Sequence, residues 1–109
     1  MASQYPFAFG NATVTSSATA VSVLSLITTI LGAAPTGACV SLNVSLSQNS
    51  YWGNSSAVTN TDGALVTANT PVSDSGTGVS GNAVPIAQMF IYQNSGSPAT
   101  ATVYARFIP

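Results

Sequence analysis

The residues able to do acid, base or metal chemistry in this chain are Asp62, Asp74, Arg106 and Cys39. The sequence holds no histidine, and its one basic residue is Arg106. A general base near neutral pH, a nitrogen ligand for a metal and a partner to activate a hydroxyl or thiol are therefore missing. Asp62 and Asp74 sit in the turn-forming strings Asp62-Gly63 and Ser73-Asp74-Ser75-Gly76, where turn geometry alone accounts for an aspartate. A glycosidase pair needs two carboxylates held rigidly across a cleft, and a calcium loop needs several acidic oxygens together. Two separated turn aspartates meet neither requirement, so no catalytic residue, metal ligand or cofactor is expected. Cys39, inside Ala38-Cys39-Val40, reads as a small buried apolar side chain, and being single it sets no disulfide framework. The glycosylation-type triplets at Asn11, Asn43 and Asn54 arise readily in so Asn-, Ser- and Thr-rich a chain and carry no functional weight.

What remains is contact chemistry. Tyr5, Phe7 and Phe9 alternate around Pro6, which on an extended segment places three rings on one face. Such a segment is either a first strand on the chain's own core or an arm laid on a neighbouring subunit. Trp52, between Tyr51 and Gly53, is either a sugar-binding platform beside Asn and Ser or an aromatic filling the core or a subunit interface, where its area contributes most. Arg106 stands on an otherwise apolar stretch. It makes either a surface pair with Asp62 or Asp74, or a hydrogen-bonding fork across an interface, where arginine is enriched while other charges are depleted. Tyr5, Phe7, Phe9, Trp52 and Arg106 are thus the candidate partner-interface residues.

Charged residues make up 3% of the 109, against about a quarter in an ordinary soluble domain. A net charge of -1 gives little repulsion between copies, so self-association is expected. One arginine cannot neutralise a row of phosphates, which argues against nucleic acid as partner. Met1 to Pro6 lacks the basic region and apolar run of a secretory signal, pointing to synthesis in a cytoplasm. Ala18 to Ala34 is uncharged, but Ser22, Ser25, Thr28 and Thr29 interrupt it and Gly32 and Pro35 close it, so no membrane span is expected.

The elements that must position these residues are mostly strands, as the abundance of Val, Ser, Thr, Gly and Pro suggests. Residues 1–11 form the extended arm and 12–109 a single domain. Ala12 to Val23 alternates loosely. Leu24, Ile27, Ile30 and Leu31 fall at spacings of three and four, predicting a short helix from Leu24 to Leu31 that Gly32 ends and that plugs one end of the core. After the turn at Pro35-Thr36-Gly37, Cys39 to Ser47 has a clean period of two, with Val40, Leu42, Val44 and Leu46 on one side. Asp62-Gly63 predicts a tight turn, Leu65 to Thr67 a short strand, and Ser73 to Asn82 a surface loop. Val84 to Gln93 and Ala99 to Ile108 read as a closing hairpin around Asn94-Ser95-Gly96-Ser97-Pro98. Some seven or eight short strands with evenly spaced turns predict an all-β, antiparallel β-sandwich or jelly roll with one short helix.

The order of these pieces resembles small virion proteins of tailed bacteriophages, above all capsid decoration (cement) proteins. The likeness is carried by Thr13-Val14-Thr15, by Leu31-Gly32-Ala33, by Pro35-Thr36-Gly37 leading into Val40, and by Tyr51-Trp52-Gly53-Asn54-Ser55 with Asp62-Gly63 behind it. Met89-Phe90-Ile91-Tyr92 and Ala101-Thr102-Val103-Tyr104-Ala105 complete it. The resemblance implies a structural subunit, commonly a homotrimer, on the outer capsid surface at junctions between major capsid proteins, made in the host cytoplasm and stabilising the shell. The aromatic arm and low charge suit a tail or fibre subunit as the alternative, and Tyr51 and Trp52 with nearby Asn and Ser a carbohydrate-binding receptor-recognition module.

Overall fold

The computed structural model describes residues 7–79 and 81–108. Its strands are β1 (Phe7–Val14), β2 (Val21–Ser22), β3 (Ala38–Leu46), β4 (Ser50–Gly53), β5 (Ala64–Val66), β6 (Val72–Ser75), β7 (Phe90–Tyr92) and β8 (Ala99–Ile108), with a helix α1 at Val23–Leu31. They form two four-stranded sheets, in the orders β1-β8-β3-β6 and β2-β7-β4-β5. Every pairing is antiparallel, and the pairs are nested: β4 with β5, β3 with β6, β2 with β7, β1 with β8. One long hairpin, with its tip between β4 and β5, is rolled up so that β3 meets β8 and β4 meets β7. This is the jelly-roll form of the β-sandwich.

The core follows from period-two patterning. Ala8, Ala12 and Val14 of β1, Leu42, Val44 and Leu46 of β3, and Ala99, Ala101, Val103, Ala105 and Phe107 of β8 all point inward and are buried. Small residues dominate this layer on β1 and β8, so the sheet lies close to what covers it. Part of that cover is α1. Ser22 caps it by accepting a hydrogen bond from the Ser25 backbone N–H at 3.1 Å, and Gly32 ends it in the left-handed conformation with its N–H on the Thr28 carbonyl at 2.8 Å. Val23, Leu26 and Ile27 are buried, and Ile30 lies over Gly10 of β1. The plug expected from the three-and-four spacing is therefore present.

Three expectations are corrected. Residues Val84 to Ile108 do not form a hairpin: a 3-10 turn occupies Ile86–Gln88, β7 joins the sheet of β2 and β4, and β8 joins the other sheet. The Asn94–Pro98 turn crosses between the layers. It is fastened by Gln93, 1% exposed, whose Nε2 donates to the carbonyls of Val14 and Ser97 at 3.0 and 2.8 Å while its Oε1 accepts from the Ser95 N–H and hydroxyl. The stretch Ser73 to Asn82 is not loop throughout, because Val72–Ser75 is the edge strand β6, paired with β3. Finally, the clean period of β3 slips at a bulge between Cys39 and Ser41, so that Cys39 and Val40 are both buried.

Candidate interaction face

The first residues of β1 belong to the sheet itself. From Phe7 onward the chain is paired residue for residue with β8, so these residues are a strand of the chain's own sheet, while the rings of Phe7 and Phe9 lie off its core. Tyr5 lies outside the described residues. The register sets Phe7 beside Arg106, Phe9 beside Tyr104, and Asn11 beside Thr102. On β8's other side Arg106 meets Ser41, Tyr104 meets Asn43 and Thr102 meets Ser45. Alternation then puts all of these side chains on the outer face of the sheet, opposite the buried row.

Three rings gather there. Phe9 and Tyr104 have centroids 4.8 Å apart, Phe7 and Tyr104 6.0 Å, and Phe7 and Phe9 6.3 Å. Phe7 is 45% and Phe9 70% exposed. Beside the rings and Arg106 the face is hydrogen-bonding. The Thr102 hydroxyl donates to Asn11 Oδ1 at 3.1 Å, and Asn43 Nδ2 donates to the Ser73 hydroxyl at 2.8 Å. A shallow depression of about 370 Å³ opens between Phe9, Asn11, Asn43, Thr102 and Tyr104. A second, of about 570 Å³, continues from Tyr104 and Asn43 to Ser73 and Ser75.

Phe7, Phe9 and Arg106 are thus brought together, and Tyr104 and Asn43 join them. Tyr104 escaped the sequence reading although its signal was present: Thr100, Thr102, Tyr104 and Arg106 alternate with the apolar residues of β8. Arg106 is exposed, in a row with Phe7, Ser41 and Ser75. Asp74 is one step along, in register with Leu42, so the pleat sends its side chain to the other face.

Trp52 is elsewhere. It lies in β4 in register with the fully buried Ile91, packs against the core, and donates its indole N–H to the buried Ser50 hydroxyl at 3.0 Å. Tyr51 turns the opposite way and pairs with Tyr92 at 6.5 Å, under Val58 of the loop joining β4 to β5. Neighbouring strand residues on opposite faces cannot make one sugar platform, so the two aromatics that suggested glycan binding act separately.

The chemistry-bearing groups are also dispersed. Asp62 accepts the Thr59 N–H at 2.9 Å within the β4–β5 loop, while Asp74 accepts the Ser75 N–H at 2.8 Å in the other sheet. Cys39 is buried, donates to the Ser41 carbonyl at 3.4 Å, and has its pKa raised, chiefly by burial with a smaller push from Asp74. Among the described residues no three acidic or thiol groups gather as a metal site, and no helix is long and apolar enough to cross a membrane.

Fold and face together define a nearly uncharged jelly-roll domain with an aromatic and hydroxyl-rich outer surface on one sheet. The chain matches no family model, no curated protein and no solved structure.

Proposed function

We propose that this protein is a structural subunit of a virion, a decoration protein that clamps the outer surface of a phage capsid through the exposed face of the β1-β8-β3-β6 sheet. The observation that carries this reading is the exposed cluster of Phe7, Phe9 and Tyr104. Covering the exposed part of Phe9 alone contributes roughly 1–2 kcal/mol, and Asn, Ser and Thr around it supply hydrogen bonds without the desolvation cost of charges. Arg106, at the end of the cluster, offers its planar fork to carbonyls or a carboxylate of the partner. The jelly roll is a fold used by viral capsid domains, which supports the reading at the level of analogy only. The resemblance of the sequence to decoration proteins supplies the partner, a major capsid protein, and the location on the capsid surface.

The reading is tested by incorporation. Phe9→Ser removes an exposed ring and Tyr104→Ser a half-buried one on the same outer face, both away from the core, so each variant should fold with an unchanged spectrum and melting temperature. Particles assembled in their presence should carry several-fold fewer copies than with the wild type, whose copy number should be large and fixed by the symmetry of the shell. A handful of wild-type copies per particle, or full incorporation of both variants, overturns the proposal.

A further inference from the structure

The two sheets expose four edge strands, and three of them are blunted. β2 has two residues and β5 three, while β6 has four and carries Asp74. β1 is different. It runs for eight residues, Phe7–Val14, without a charge, a proline or a break in register. Natural sheets usually shorten, charge, kink or cover such an edge, because its unpaired backbone groups template another strand.

Which groups are unpaired follows from the ladder. The Ser47 N–H donates to the Thr100 carbonyl at 3.1 Å, and the Thr100 N–H reaches the Ser47 hydroxyl at 2.8 Å. Even-numbered residues of β8 therefore turn their backbone groups to β3 and odd-numbered ones to β1, since both groups of a strand residue point the same way in an antiparallel ladder. Ala8, Gly10, Ala12 and Val14 receive them, being in register with Ala105, Val103, Ala101 and Ala99. Phe7, Phe9, Asn11 and Thr13 aim their N–H and C=O groups outward. Among the described residues, these groups have no backbone partner.

We propose that β1 pairs antiparallel with β1 of a second copy of this chain, joining two four-stranded sheets into one continuous sheet. A second copy fits for two reasons. The strand is uncharged in a chain of net charge -1, so like copies meet without repulsion. A twofold axis at Gly10 also engages all four open residues at once, Phe7 with Thr13 and Phe9 with Asn11 of the second copy, which is the self-complementarity an isologous contact requires. The two aromatic clusters then lie on the same side of the joined sheet, presenting two contact faces side by side. The arrangement is twofold where the resemblance to decoration proteins implies a threefold. It uses the strand's edge and not its outer face, so it stands independently of the proposed capsid contact.

Sedimentation equilibrium and amide hydrogen exchange on the full chain test it. Mass should rise from one chain to two with concentration. Protection should rise in parallel at the amides of Phe9, Asn11 and Thr13, while those of Ala8, Gly10 and Ala12 stay protected throughout. Thr13→Lys puts a charge on an exposed edge position and should weaken pairing by roughly tenfold or more; Asn11→Pro removes one outward N–H that β8 does not use and should do the same. Tyr104→Ser, which alters the face but not the edge, should pair like the wild type. A monomer at all concentrations, a trimer, pairing unaffected by Thr13→Lys in a folded protein, or pairing lost in Tyr104→Ser overturns the proposal.

Discussion

At the scale of single residues, the chain separates groups that other proteins combine. Cys39 has no histidine to activate it, and burial keeps its proton on. It should therefore resist thiol reagents in the folded protein and react at the full rate in denaturant, as a thiol titration would show. The raised pKa also has a sign for stability. The unfolded chain loses the thiol proton first, so the contribution is complete below the ordinary thiol value of about 8.5 and declines as pH rises through that value towards the higher folded one. Melting temperatures should accordingly fall on the alkaline side in the wild type, and by less in Cys39→Ala. Gln93 is the converse case, a buried polar side chain with every bond made. Gln93→Leu would leave the carbonyls of Val14 and Ser97 without those donors and should destabilise the fold by about 1–3 kcal/mol in urea. Nothing in the string Tyr92-Gln93-Asn94 marks this residue as buried, because its partners lie as far off as Val14, 79 positions away.

At the scale of elements, close approach matters more than propensity. The β4–β5 loop folds back so that Val58 fits between Gly53 and Gly63, and a Cβ built on Gly63 would stand 2.7 Å from Tyr51 Cβ and 2.9 Å from the Thr59 carbonyl oxygen. Gly63→Ala should cost about 1–3 kcal/mol by overpacking, read as a lower melting midpoint. The Asp-Gly turn was legible at this place; that it must also clear Tyr51 was not. The helix and β3 were legible because each packs an apolar row against the core, and the period of that row is then written into the chain. β6 was hidden because three of its four residues are exposed, leaving no apolar row to reveal a strand. The division of β7 and β8 between sheets was hidden for another reason. Two neighbouring strands with a turn between them look alike whether they pair or cross, and only their distant partners, β4 and β3, decide.

At the scale of the whole molecule, the nested pairing of the jelly roll brings the two ends of the chain together, so that β1 and β8 side by side unite Phe7 and Phe9 with Tyr104 and Arg106. Two of the candidate residues sit on β1 and one on β8, nearly a hundred positions apart in the chain; their types could be singled out from the sequence, whereas their assembly into one face required the fold. Trp52, the most conspicuous aromatic in the sequence, supports the core instead. The proposed capsid contact, made by a surface with one cation among rings, amides and hydroxyls, rests on burial and short-range hydrogen bonds, forces that salt does not screen.

Retention of the protein on phage capsids, the partner proposed above, as sodium chloride is raised from about 0.05 M to 1 M tests this most directly, because the Debye length shrinks over that range to about 3 Å. Retention should hold across the whole series for the wild type and fail even at low salt for Phe9→Ser. Progressive release of the wild type with rising salt, at copy numbers indifferent to Phe9→Ser, would mean that charge and not surface burial holds it in place.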